Sequence, residues 1–507
     1  MAPFIIRRLF VSFFVLLGAT FIVYVLVASA GDPRAALFES TDPGKANKIA
    51  ALTRNLSLDV PIIPRYFAWL GGALGCLIGK CDLGNTATGA PVSGGLAVAM
   101  GSTLRLVVFA LVIAIVLGVS IGMITALRQY SGLDYSVTFL AFLFFSLPVF
   151  WIAVLMKQFL AIKFNDWLKA PSIPPWFIVL AAAVTGLLAA GIVGGERKRR
   201  LAAFGGAALG VALLLIYFSI TDWFAEPGIG PVLMILMSVI TAVAATALFA
   251  GFRSRIVLYA TLVTAVVGFV CYFALDSILA DPTALLIVGL LVVALVVSAG
   301  IGAAMGGLYR SQAIKACMLT GFGCGGLIFA SHLLAALPAY SAKVNGVVIA
   351  TIGATTPNFS GNFWETTLDQ LGHLILPTIA IVLISIASYT RYTRSSMLEV
   401  MNADYIRTAR AKGLTERTVI VRHGFRNALI PITTIVALDI GGLIGGAIIT
   451  ETVFGWSGMG RFFNDALKIP DPNAVMGFFL VTGTAIVVFN MIADITYGFL
   501  DPRIRLS

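Results

Sequence analysis

Twelve runs of roughly twenty apolar residues, each closed by a short polar break, leave this chain little choice of fold class. A hydrocarbon core about 30 Å thick is crossed by about 20 helical residues. Backbone polar groups cannot go unpaired in lipid, so the runs have to be helices. We read spans near 9–30, 103–127, 135–157, 176–194, 201–220, 231–251, 256–275, 284–306, 316–337, 371–390, 429–450 and 474–500. The expectation is an all-α polytopic membrane protein with an even number of crossings, in the inner or plasma membrane. Composition agrees, since 59% hydrophobic and 11% charged residues lie far from soluble averages.

Charge orients the spans. With the N-terminus in the cytosol, the inner segments 1–8, 128–134, 195–200, 252–255, 309–315, 391–428 and 501–507 carry 21 Lys and Arg against 6 Asp and Glu. The outer segments carry 13 against 15. That asymmetry is the positive-inside pattern and predicts both termini in the cytosol. The net charge of +11 is spread over these turns rather than gathered in one patch, so no nucleic-acid partner is expected. Arg7-Arg8, an apolar run and Ala28-Ser29-Ala30 imitate a signal peptide, but the run is longer than a usual signal core, and we expect it to be retained.

Residues 158–360 read as an insertion of six spans in three hairpins. Their inner turns are basic ("GGERKRR", "GFRSR", "YRSQAIK"), and their outer turns hold Asp222 and Glu226, then Asp276 and Asp281. Six spans return the chain to the side it left. A six-span core remains, in two parts: 1–157, with an outer loop over 31–102, and 361–507.

The longest inner loop of that core, 391–428, is the most chemically distinctive segment. "NADYIRTARAKG" predicts a short helix with Asn402 or Asp404 near its start and Gly413 at the C-cap. "LTERTVIVRHGFRN" restarts at Thr415, with Glu416 beside the positive helix end. Helical spacing puts Ile406, Ala409 and Gly413 on one smooth stripe and Arg407 and Arg410 on a charged flank. Such a stripe suits a groove on another protein; an ordinary basic loop resting on anionic headgroups is the alternative.

The stretch "RSSMLEVMNADYIRTARAKGLTERTVIVRHGFRNALIP" closely resembles the cytosolic coupling loop of ABC-importer permeases of the dipeptide, oligopeptide and nickel class. The Ala-x-x-x-Gly centre of that family's loop matches Ala409 and Gly413, while Thr408 and Arg407 stand where most members have Ala and Glu, as in the peptide-type subclass. "FIIRRLFVSFFVLLGATFIVYVL", "LSLDVPIIPRYFAWL", "CDLGNTATGAPV", "ETVFGWSGMGRFF" and "ADITYGFLDPRIR" extend the resemblance collinearly over 1–157 and 361–507. The resemblance implies that Arg407, Thr408, Ala409, Arg410, Lys412, Gly413 and Leu414 couple the chain to a cytosolic ATPase. It also implies a second homologous permease, two ATPase subunits or domains, and an extracytoplasmic substrate-binding protein. ATP and Mg would then bind in the ATPases, with no cofactor and no catalytic residue in this subunit. A twelve-span secondary transporter driven by ions is the main rival, and a channel or scaffold a further one; the first predicts two comparable six-span halves.

Other residues carry weaker expectations. Gly441-Gly442 and Gly445-Gly446 allow close helix packing, either against a partner permease or within the chain. Pro148 and Pro377 mark candidate bends. Asp439 and Asp494 are costly in hydrocarbon, so each should face protein or water; Asp439 is the pathway candidate, and Asp494 is expected to anchor a basic group. Glu451, Trp456, Gly458 and Arg461 belong to an outer stretch that the resemblance places near a receptor-facing gate. Cys76 and Cys81 share an outer loop, where a small disulfide is possible but not required. His332, His373 and His423 show no metal-ligand spacing, and no phosphate-binding loop or catalytic triad is evident.

Overall fold

The computed structural model describes residues 2–251 and 254–500. The segment 501–507, and Phe252 and Arg253 of the second basic turn, lie outside the described residues. Among those described, the regular elements are helices, and the one extended pairing joins Asn85 to Pro91. Eleven helices are long and apolar enough to cross a membrane, or twelve crossings if one bent pair counts as a span.

Along the chain run α1 (Ala2–Ser29), α2 (Val92–Leu127), the bent pair α3 (Gly132–Ser146) and α4 (Val149–Met156), α5 (Pro175–Val193), α6 (Arg197–Ile220), α7 (Pro231–Phe249), α8 (Arg255–Ala274), α9 (Ala284–Met305) and α10 (Arg310–Ala335). Then come α11 (Phe363–Met401), the short α12 (Asp404–Ala411), α13 (Arg426–Ile444) and α14 (Pro472–Leu500). The chain divides into two compact units. One gathers the residues up to Leu160, Thr351–Ala354 and those from Leu374 onward; the other gathers Ala161–Ala350 and Thr355–His373.

The two candidate bends differ in outcome. The third span, read over 135–157 with Pro148 inside it, turns by 101° between Ser146 and Val149. Pro148 forces Leu147 out of helical geometry, and both residues are extended (ψ 132° and 134°) before the helix restarts. The other proline behaves differently, because α11 continues unbroken through Pro377. At 39 residues, about 58 Å, α11 outruns the hydrocarbon and carries Arg391, Arg394 and Glu399 beyond it.

In the first unit, α2 and α11 approach closely because of two glycines. A Cβ on Gly118 would stand 2.7 Å from the Tyr389 Cβ, and one on Gly122 would stand 2.7 Å from the Thr390 carbonyl oxygen. Leu106, Ala110 and Ala114 fill the seam against Ile381, Val382 and Tyr389. A second core joins α1, α14 and the loop helix Ile62–Gly75 around Tyr24, Tyr66 and Trp69. There the Thr20 and Tyr66 hydroxyls lie 3.1 Å apart. Gly441 and Gly445 face Ile486 and Thr482 of α14, where added Cβ atoms would collide, whereas Gly442 meets open space. Of the two packing roles considered for these glycines, Gly441 and Gly445 fill the one within the chain.

In the second unit, α7, α8 and α10 share a core of Ala245, Val257, Ala313 and Ala316. The Thr246 and Thr261 hydroxyls bond each other at 2.8 Å inside it. Helices α5 and α6 form a hairpin in which α6 buries none of its residues and α5 only Gly186. Lipid is as apolar as these faces, so they need no protein cover.

Candidate functional site

The 391–428 loop of the first unit folds into a helical hairpin. α12 begins after extended Ala403, with Asp404 in its first turn, and ends at Lys412, which forms the C-cap. Gly413, expected at the cap, is the residue beyond it, with φ +74°, the left-handed conformation glycine enters without Cβ strain. Its N–H donates to the Arg410 carbonyl at 2.9 Å. Across the turn the Arg410 guanidinium grips Glu416 at 2.8 and 3.3 Å, bracing the two arms together.

The second arm is not a separate short helix. From Glu416 it passes through a π-helical stretch, Val419–Phe425, directly into α13 and the membrane. Thr415 caps its start by conformation only, its hydroxyl pairing with that of Thr418 at 2.9 Å.

The faces of α12 are disposed differently from the expectation. Ile406 is fully buried and Ala409 is 6% exposed, packed with Val419 against Val400 and Met401. The smooth stripe therefore seats the hairpin on its own chain. Arg407, Thr408, Arg410, Lys412, Gly413 and Leu414 form the exposed side. Ala409 leaves the set of surface candidates, because a methyl packed in a core presents nothing to a partner. A Cβ at Gly413 would meet no atom within 4 Å, so the tip of the turn is open.

The stretch from Glu451 to Arg461 is a latch built from buried polar contacts. Glu451 is wholly buried; it accepts from the Thr103 hydroxyl at 2.8 Å and from the Arg461 N–H at 3.1 Å. Thr103, on α2, in turn accepts the Met459 N–H at 2.8 Å. Trp456, also buried, donates its indole N–H to the Ser102 carbonyl at 3.2 Å. Gly458 leaves room for this network: a Cβ there would fall 2.4 Å from the Thr103 oxygen and 2.5 Å from Glu451. Arg461 caps the Gly455 carbonyl at 3.1 Å with its exposed guanidinium. Lys157 reaches the same stretch through the Val453 carbonyl.

Asp439 lies part-buried in α13 beside the Tyr389 hydroxyl. Asp494 pairs with Arg8 at 2.6 Å, joining α14 to α1. Cys76 and Cys81 are disulfide-bonded and close the loop that follows Ile62–Gly75.

Three anchors escaped sequence reasoning. Asp134, 3% exposed, takes a two-pronged grip from Arg394 at 2.7 and 2.9 Å and accepts the Tyr130 N–H at 3.0 Å. Ser131, whose hydroxyl accepts the Asp134 N–H, makes a Ser-x-x-Asp capping pattern that is legible in sequence; its partner 260 positions away is not. Asp471 is buried and accepts N–H bonds from Ala87 at 2.7 Å and Ala474 at 3.0 Å, pinning the outer loop to the start of α14. Burial pushes its carboxyl above the usual carboxylate range, against the pull of those amides. Arg65 is buried with its guanidinium over the Tyr24 ring, donating to the Leu56 carbonyl at 3.4 Å.

Comparison with known proteins places this hairpin and latch in a family context. Residues 297–506 match the family model described as binding-protein-dependent transport system inner membrane component. The match begins inside the segment read from sequence as inserted. The oligopeptide transport system permease protein OppB of Mycobacterium tuberculosis is 41% identical over 155 residues, 31% of this chain and 48% of that protein. The dipeptide transport system permease protein DppB of Escherichia coli is 49% identical over 145 residues, 29% of this chain and 42% of that protein. The oligopeptide transport system permease protein AppB of Bacillus subtilis is 39% identical over 188 residues, 36% of this chain and 58% of that protein. The chain thus spans about half the length of the curated relatives it matches.

Proposed function

We infer that this multi-pass membrane chain, which carries the inner membrane component domain of binding-protein-dependent transport systems, is a permease subunit of an ATP-driven importer for di- or oligopeptides. It works with a second permease, which completes the pathway, and with an external binding protein that delivers the substrate. ATP and Mg belong to two cytosolic ATPases, and the chain itself hydrolyses nothing. Its termini and the α12 hairpin face the cytosol, as the Lys and Arg distribution favours. The second unit is an added membrane domain that supports assembly or recruits a further protein.

The observation that carries this reading is the hairpin. Its exposed side, Arg407 to Leu414, is held to the chain by Ile406 and Ala409 on one flank and braced by Arg410 and Glu416. Its second arm is continuous with a membrane helix. A displacement applied at the Gly413 turn therefore reaches α13 through continuous helix rather than through a loop. Closure of the ATPases would favour one of two arrangements of the spans, in proportion to how differently each arrangement contacts them. The comparisons lend no support to the ion-driven secondary transporter.

Gly413→Asp tests the reading. A side chain there projects into open space, so the cost to folding is confined to about 1 kcal/mol of left-handed strain. The variant should insert and fold, yet lose ATPase binding and transport by about tenfold or more. Transport and ATPase binding at normal levels would overturn the coupling role. Transport that stops when ion gradients collapse, and persists with disabled ATPases, would overturn the importer itself.

A further inference from the structure

Beyond coupling, the first unit contains a cavity of about 280 Å³ between α3 and α11 that no part of this mechanism uses. Phe142 and Phe145 of α3 line it, with Thr390, Arg391, Ser395 and Leu398 of α11. Phe142 and Phe145 are 55% and 54% exposed, so the cavity opens toward the apolar face of α3.

The charges at this wall do not cancel. The guanidinium of Arg394 is committed to Asp134 at 2.7 and 2.9 Å. Arg391 makes no ion pair among the described residues; its guanidinium lies over the Phe145 ring at 4.6 Å and the Tyr392 ring at 5.4 Å. A cation on an aromatic face keeps its N–H donors free for an acceptor at the edge.

Depth narrows the ligand. Positions 374–390 of α11 hold no charged residue, which is about 26 Å of helix ending at Arg391. Against a core of about 30 Å, Arg391 stands at the boundary between hydrocarbon and headgroups. An uncompensated cation at that level, beside an apolar slot running back into the hydrocarbon, matches a molecule with an acidic head and a greasy tail.

We propose that this cavity binds an anionic phospholipid, its phosphate on Arg391 and Ser395 and one acyl chain along Phe142 and Phe145. The site is a built pocket, distinct from the general basic character of the inner turns.

The test uses the full chain purified in detergent with equal amounts of phosphatidylglycerol and phosphatidylcholine, with retained lipid counted by native mass spectrometry. The wild-type chain should prefer phosphatidylglycerol, and Arg391→Gln should lower that preference about fivefold. Arg391→Lys should retain most of it. Lys315→Gln, which removes an exposed cation from the other unit, should leave it unchanged. If Arg391→Gln folds poorly, Phe142→Trp with Arg391 intact gives an independent reading: brominated phosphatidylglycerol should quench the new indole more than brominated phosphatidylcholine. Equal retention by folded Arg391→Gln and wild type, an equal loss in Lys315→Gln, or no difference in quenching would overturn the proposal. Displacement of phosphatidylglycerol by dialanine would also overturn it, assigning the pocket to a peptide carboxylate instead.

Discussion

Thr103 shows how much a single hydroxyl holds in a membrane protein. It donates to buried Glu451 and accepts the Met459 N–H, so its removal strips one donor from the carboxylate and leaves the Met459 amide without its acceptor. Thr103→Val keeps the shape and should cost about 2 kcal/mol, seen as a lower unfolding midpoint in detergent; Thr103→Ser, which keeps the oxygen, should cost less than about 1.5 kcal/mol. Equal losses in the two variants would mean that packing rather than hydrogen bonding sets the value of this position. Glu451 and Trp456 were visible in the sequence as parts of a distinctive outer stretch. Thr103 was not, since nothing in an apolar run announces that a residue 348 positions later will need its hydroxyl. The burial of Ala409 was hidden for a related reason. Helical spacing tells which residues share a face, but not whether that face turns inward or outward.

At the scale of elements, the spans were legible because hydropathy alone demands them, while their breaks depend on neighbours. Pro148 and Pro377 each remove one backbone donor. α11 is clamped on both sides of Pro377 by Leu374, Ile381 and Val382 against α2, and it continues. Phe139, Phe142, Phe150 and Trp151 around Pro148 are about half exposed or more, so little opposes the bend there. What ties α3 to α11 is instead the Asp134–Arg394 pair. Arg394→Gln leaves a nearly buried carboxylate without its partner and should cost about 2 kcal/mol, discounted from a fully buried pair because Arg394 is 28% exposed. The exchange Asp134→Arg with Arg394→Asp should recover part of that loss in the same unfolding assay. A double variant no more stable than the sum of its single changes would deny a specific pairing.

For the molecule as a whole, the chain divides into two compact units, of which the second gathers Ala161–Ala350 and Thr355–His373. Hydropathy cannot tell an added helix from an original one. The insertion was read from its three hairpins and from where the family resemblance stops, not from hydropathy. If the second unit supports assembly rather than passage, deleting 165–358 should leave a chain that still reaches the membrane and still transports, in smaller amounts and with a lower unfolding midpoint. Full assembly with no transport would place the added helices on the substrate's path.

The π-helical stretch between Glu416 and α13 has a geometric consequence of its own. Bonds from i to i+5 take in one residue more per turn than an ordinary helix. That surplus sets α13 out of phase with the arm that leads into it. Rewound to ordinary pitch, the same residues would roll the far end by about 100° or advance it by about 1.5 Å. The chain thus keeps slack, measured in whole residues, where the exposed turn meets its membrane helix, and a second reserve of the same kind follows the bent span at Lys157–Ile162.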